Sequence, residues 1–281
     1  MAWLKLIRIK NLLLISISQI LIVCFLFSYH QLTPVVYLYL FCTFCLAAAG
    51  NIINDYFDVT TDATNKPNKQ IVGKHILPKN AFGAYIIFNL LGLIAGTYAC
   101  ILLQSVLLYF YGIPVILLLY LYSKQLKGIP FLGNFIIASF TAFSILFFLM
   151  IIPSNPYQKQ IIYILAFFAF ALNLIREIIK DIEDVKGDKK ANLKTLPIII
   201  GTTRTVAICK FLIIVTLISF VILLYVTNTI YIKLYILITL TIPLAYCFQL
   251  LKSAVKKNDF SRISGILKLI IGFGILAVFF A

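Results

Sequence analysis

The chain has 281 residues, of which 62% are hydrophobic and only 12% charged, with a mean hydropathy of +1.05 and a net charge of +15. Soluble domains carry about 25% charged residues, so this composition excludes an ordinary water-soluble domain and leaves lipid as the solvent. The basic residues do not form a polar surface interleaved with aromatics, which excludes nucleic acid as a partner.

A membrane-spanning helix needs about 20 predominantly apolar residues. The apolar runs predict nine such helices, over about 11–29, 35–53, 81–103, 105–122, 131–152, 160–179, 205–227, 230–251 and 263–281. Lys5, Arg8 and Lys10 precede the first, as in a signal peptide. Its apolar run is too long and lacks a small-residue cleavage site, so it is read as a retained helix. With a cytoplasmic N-terminus, 22 of the 24 basic residues fall in inside segments, and only Lys159 and Lys233 fall outside. That asymmetry follows the positive-inside rule. The expected fold is therefore an all-α integral membrane protein: one domain over residues 1–281, nine helices bundled around a central cavity, in a prokaryotic cell membrane. Cys42 and Cys45 make a CxxC inside an apolar helix with no second pair, which reads as buried thiols rather than zinc or redox chemistry.

Eight of the nine acidic residues lie in two short segments, NDYFDVTTD (residues 54–62) at the end of the second expected helix and REIIKDIEDVKGD (176–188) at the end of the sixth. A carboxylate at the edge of an apolar helix is costly unless paired or bound to a cation. Asn54, Asp58 and Asp62 recur every four residues, so a continuing helix gathers them on one face, with Asp55 beside them. Glu177, Asp181, Asp184 and Asp188 form a second stripe, with Gly187 expected to loosen the helix and leave Asp188 on a loop. Oxygen-only ligands suit hard cations, and Mg²⁺ usually shares a few carboxylates with phosphate oxygens. Two facing clusters, as a parallel four-helix repeat would arrange them, suit Mg²⁺ ions with a diphosphate between them. Departure of that diphosphate from an allylic carbon leaves a carbocation, which 24 Phe and 16 Tyr are enough to surround. The alternative from another class is a cation transporter, which needs charges along a path at mid-membrane depth.

The pattern N-x-x-x-D-x-x-x-D at Asn54, Asp58 and Asp62, with the extra Asp55, resembles the first motif of the UbiA superfamily of intramembrane prenyltransferases. D-x-x-x-D at Asp184 and Asp188, preceded by Asp181, is similar to the second. IRIKN (7–11), LKGIPFLGN (126–134) and TLPI (195–198) look most like the branch that transfers a geranylgeranyl group from its diphosphate to geranylgeranylglyceryl phosphate. The resemblance implies that Asn54, Asp55, Asp58, Asp62, Asp181, Asp184 and Asp188 hold Mg²⁺. It also implies that Asp58, Asp62, Asp184 and Asp188 carry the reaction. Tyr120 with Lys124 fits a family Y-x-x-x-K, Lys127 fits the L-K of this branch, and Lys69 stands where many members have a diphosphate-contacting Arg. Asn68-Lys69-Gln70 replaces that N-R-P, which loses the bidentate fork of Arg and the rigid turn of Pro. The implied partners are a prenyl diphosphate donor, a lipid-like acceptor and membrane lipid, with the site open to the cytoplasmic side. Lys66, Lys69, Lys74, Arg176 and Lys180 are candidates for an acceptor phosphate, and an aromatic acceptor is the alternative within the family.

Overall fold

The apolar runs form helices because a backbone in lipid must satisfy its polar groups internally. The computed structural model describes residues 1–65, 67–68, 70–105 and 109–280, and the backbone alone at 109–111. Among these residues eight helices are long and apolar enough to cross a membrane. They cover eight of the nine expected spans. The expected span over 105–122 includes 106–108, outside the described residues, and the described part is a 16-residue helix, Tyr109–Lys124. By contacts the chain forms two compact units, Met1–Lys127 and Gly128–Ala281.

In the first unit α1 (Ala2–Leu6) turns into α2 (Ile9–Ile22), which continues through a π turn over Val23–Ser28. The long α3 (Pro34–Phe57) is followed by the short α4 (Val59–Asn65), then α5 (Pro78–Leu102) and α6 (Tyr109–Lys124). Leu6, Ala48, Ala49, Ile52, Ile53 and Ala81 are fully buried in one cluster, so the unit's core sits at the end of α3 that carries the acids. Without a hydrophobic drive between helices in lipid, close packing depends on small residues. Gly92 of α5 shows this: a Cβ there would lie 3.1 Å from Leu46 and 3.3 Å from Cys45 of α3.

The second unit comprises α7 (Leu132–Leu146), α8 (Phe148–Ile151), α9 (Pro156–Lys190), α10 (Leu196–Ile199) and α11 (Thr202–Val226). It ends with α12 (Ile230–Ile236), a π turn over Leu237–Thr241, α13 (Ile242–Ser253) and α14 (Lys257–Leu276). A capping box between Asn155 and Gln158 starts α9, with Pro156 in the first turn. Ile175, Ile178, Ile179 and Ile182 recur at helical spacing and bury one face of α9, with Phe168 stacked on Phe220 at 4.3 Å. At 1.5 Å per residue, the 35 residues of α9 extend about 50 Å, against a hydrocarbon core of about 30 Å. The helix is thus too long to fit within the apolar layer, and its acidic final turns form a natural extension beyond it. This corrects two expectations: α9 continues well past residue 179, and Asp188 lies within it rather than on a loop. Helix interiors tolerate Gly at about 1 kcal/mol, and Gly187 and Asp188 are both buried within the continuing helix.

Candidate functional site

The first acidic segment does not run as one uniform helix, yet its stripe survives. α3 ends at Phe57, and Asp58 takes φ −89° and ψ 8° before α4 begins. The backbone N–H of Asp58 still donates to the carbonyl of Asn54 (2.9 Å), and that of Asp62 to the carbonyl of Asp58 (2.8 Å). The four-residue spacing of Asn54, Asp58 and Asp62 is therefore a helical register carried across a bend.

Side-chain donors gather on these acids. Asp58 is 7% exposed, and its Oδ2 accepts from Asn54 Nδ2 at 2.8 Å and pairs with the Lys127 ammonium. Asp55 pairs with Arg8 Nη2 at 2.7 Å. Arg8 holds the left-handed conformation (φ 55°, ψ 51°) that turns α1 into α2. Such a conformation costs a non-glycine residue about 1–2 kcal/mol. The ion pair, together with a bond from Asn51 Nδ2 to the carbonyl of Ile7 (3.0 Å), fixes that turn. Arg8 is a partner that spacing did not pair with Asp55, because the contact spans 47 positions.

Beyond α4, Gln70 changes the reading of the N-R-P departure. Its buried amide Nε2 donates to the carbonyls of Val59 and Val72, both at 3.3 Å. A side chain thus ties down the turn that a proline ring was expected to stiffen, and Gly73 (φ 85°) completes it. Lys69 and Lys66 lie outside the described residues. Lys74 Nζ donates to the carbonyl of Pro67 at 2.8 Å.

Tyr120 joins an aromatic group in the same unit. Its ring lies 5.7 Å from Phe57, edge-on, and 6.4 Å from Tyr85, while Tyr56 and Phe82 extend the group. Phe57 immediately precedes Asp58, so this aromatic group joins the end of α3 from which the first acidic segment continues. The two candidate lysines differ in position: Lys127 contacts Asp58, whereas Lys124 is exposed, with its ammonium 5.7 Å from the Tyr120 ring centre.

In the second unit α9 delivers Glu177, Asp181, Asp184 and Asp188 on one stripe, each with its own surroundings. Glu177 pairs with Arg176 (3.0 Å) and Lys180 (2.8 Å), which places both of these acceptor-phosphate candidates on an acid. Asp181 Oδ2 accepts from Asn134 Nδ2 of α7 at 2.8 Å. Asp184 lies 3.8 Å from Lys257 of α14. Asp188 is 3% exposed, and Thr195 Oγ1 donates to its Oδ2 across a long 3.5 Å. Thr195 opens the TLPI segment, and the backbone N–H of Lys194 next to it donates to the carbonyl of Gly128 (3.1 Å). Asn134 and Thr195 lie in segments that matched the family, but only the fold identifies which acid each one serves. The ninth acid has a structural role: Asp259 Oδ2 accepts the backbone N–H groups of Val255 and Lys256 and caps α14.

The donor set in both segments is carboxylate and amide oxygen. His30 and His75 lie outside them, and Cys42 and Cys45 are free thiols within α3. This set fits a hard cation such as Mg²⁺. Among the described residues no three His, Cys, Asp or Glu are gathered into a ready metal cage. Mg²⁺ is compatible with that, since it is usually held by one or two carboxylates together with phosphate oxygens and water.

Comparison with known proteins gives a consistent picture. Residues 16–271 match the model of the UbiA prenyltransferase family. A digeranylgeranylglyceryl phosphate synthase of Methanosphaera stadtmanae is 36% identical over 231 residues, which are 81% of this chain and 80% of that protein. The protein of the same description from Pyrococcus horikoshii is 35% identical over 220 residues, 78% of this chain and 76% of the relative. A solved digeranylgeranylglyceryl phosphate synthase structure superposes with a TM-score of 0.72 at 29% identity, covering 99% of this chain and 96% of the other. A UbiA homolog from Archaeoglobus fulgidus bound to DMAPP and Mg²⁺ shares the fold, with a TM-score of 0.62 at 20% identity over 99% of both chains.

Proposed function

Because the chain belongs to the UbiA prenyltransferase family, we propose that it moves a geranylgeranyl group from its diphosphate to the free hydroxyl of geranylgeranylglyceryl phosphate, producing an ether-lipid precursor. It is a multi-pass membrane prenyltransferase. The observation that carries the acceptor is the likeness to the Methanosphaera stadtmanae synthase over four-fifths of both chains. In the transfer, the allylic C–O bond breaks with its electron pair going to the diphosphate. The acceptor oxygen bonds to the freed carbon and gives up its proton.

The oxygen ligands for Mg²⁺ are Asn54, Asp55, Asp58, Asp62, Asp181, Asp184 and Asp188. Bound Mg²⁺ supplies neutralisation of the leaving diphosphate. Lys69, Lys124 and Lys127 supply positive charge to the diphosphate, and Asp58, Asp62, Asp184 and Asp188 fix its binding geometry. Tyr120, with Phe57 and Tyr85 beside it, offers ring faces to the carbocation that develops as the bond breaks. The family match across residues 16–271 supports one prenyltransferase domain over the whole chain. The distribution of 22 basic residues to one side supports a cytoplasmic N-terminus, nine spans with Tyr109–Lys124 as the fourth, surrounding membrane lipid and a site open to the cytoplasm.

Purified protein supplied with Mg²⁺ and geranylgeranyl diphosphate tests the reading. Geranylgeranylglyceryl phosphate and a hydroxybenzoate are offered separately, and products are separated by chromatography. An ether product with the glyceryl phosphate is expected. Turnover with the aromatic acceptor alone refutes the acceptor assignment.

A further inference from the structure

The segment from α12 to α13 does not wind evenly. It passes through the π turn Leu237–Thr241, in which Thr241 Oγ1 donates to the carbonyl of Ile236 (3.2 Å), and then meets Pro243, which has no N–H to give the preceding turn. π turns recur at functional positions because they displace side chains from the ordinary helical register. Here a groove of about 300 Å³ opens between this segment and α14. Ile238, Thr239, Pro243, Ile266, Ile270 and Phe273 line it.

The two ends of the groove differ. Arg262 stands one turn before Ile266 on α14, and Tyr246 stands three residues after Pro243 on α13. Arg262 Nη2 donates to the Tyr246 hydroxyl at 3.0 Å, with the guanidinium carbon 5.9 Å from that ring's centre. Arg262 is exposed, and Lys252, Lys256 and Lys257 mark the same helix ends. At the other end the Tyr235 hydroxyl donates to the carbonyl of Phe273, a lining residue, at 2.6 Å. From Ile266 to Phe273 the lined face of α14 rises about 10 Å, with Arg262 one turn beyond it, a length that takes part of one lipid chain. An apolar trough with a cationic head matches one ligand chemistry, a hydrocarbon chain bearing a phosphate.

We propose that this groove binds one chain of an anionic membrane phospholipid, with its phosphate on Arg262. The guanidinium presents five donors in a planar fork suited to phosphate, and Tyr246 holds that fork at the mouth of the groove. Hydrophobic contact along the trough commits the occupant to a lipid rather than a free phosphate ion. The site uses none of the residues assigned to prenyl transfer and does not depend on the identity of the acceptor.

Native mass spectrometry of the full chain in detergent tests this after incubation with diphytanoyl phosphatidylglycerol or diphytanoyl phosphatidylcholine. The wild type is expected to retain the anionic lipid preferentially. Arg262→Gln removes a charge-assisted contact, so the retained fraction falls about tenfold. Ile238→Trp fills the groove from an exposed position and also removes retention, while both variants keep the wild-type rate of prenyl transfer. Equal retention of the two lipids, or unchanged retention of phosphatidylglycerol in either variant, overturns the proposal.

Discussion

Replacing Asn134 with Ala removes one donor from one metal-ligand candidate and leaves the carboxylate in place. Asn134 is 6% exposed on the first turn of α7, and its Nδ2 lies 2.8 Å from Asp181 Oδ2. A hydrogen bond to a charged group contributes about 1.5–3 kcal/mol, and every 1.4 kcal/mol is about tenfold in an equilibrium constant. Loss of a residue that orients a metal ligand typically weakens metal binding about 10–100-fold, so the two estimates agree. The Mg²⁺ concentration for half-maximal diphosphate release is expected to rise by that factor, with a smaller change in the rate at saturating Mg²⁺. Asn134→Asp should do more damage, because an ionised carboxylate cannot donate and adds a like charge beside Asp181. Thermal unfolding in detergent without Mg²⁺ reports the structural part of the effect separately. An unchanged Mg²⁺ half-saturation in both variants refutes the claim that Asn134 orients Asp181 for metal.

The remaining expectations concern the other acids, the two lysines and the helix packing. Asp58→Asn and Asp184→Asn should each abolish prenyl transfer, measured as diphosphate release, and unchanged release in both refutes the metal-site assignment. Lys127→Met should lower turnover far more than Lys124→Met, because Lys127 reaches Asp58 while Lys124 stands exposed over Tyr120, a contact worth about 0.5–1 kcal/mol. Equal loss in the two variants contradicts that distinction. Gly92→Val places a branched side chain where even a Cβ meets Leu46 at 3.1 Å, and overpacking of this kind costs about 1–3 kcal/mol. A lowered unfolding temperature checks it, and an unchanged one refutes the close approach of α3 and α5.

Much of the helix plan was legible in the sequence because lipid imposes a simple length rule. Eight apolar runs became eight spanning-length helices among the described residues, with ends shifted by a few residues except at α9, which runs eleven residues past its expected end. The acid stripes were legible for a related reason, since residues four apart share a helix face wherever the helix continues. The sequence misled where tertiary contacts overrode local preference. Gly187 reads as a helix end by propensity, yet α9 runs on to Lys190. Gln70 reads as a poor substitute for proline, yet its amide bonds two carbonyls that only the folded turn brings within reach. Arg8, Asn134 and Lys257 were not pairable with their acids beforehand, because each contact joins separate helices.

Those long-range partners bear on how the proposed reaction begins. Carboxylates near apolar helix ends are costly unless paired, and each unit holds partners for acids of its own: Arg8, Lys127 and Asn54 in the first, and Asn134, Arg176, Lys180 and Lys257 in the second. Of these, Arg8, Lys127, Arg176, Lys180 and Lys257 are the kinds of cation that a diphosphate requires. Under the proposed function, Asp58 Oδ2, which pairs with Lys127, would be one of the oxygens that hold Mg²⁺. The Lys127 ammonium beside that carboxylate would supply positive charge to the donor phosphates. A carboxylate and an ammonium in a poorly hydrated setting are each costly without a partner, and this contact compensates both. Under that proposal the Asp58–Lys127 pair joins two groups that would both serve donor binding, so replacing either one should cost activity as well as stability.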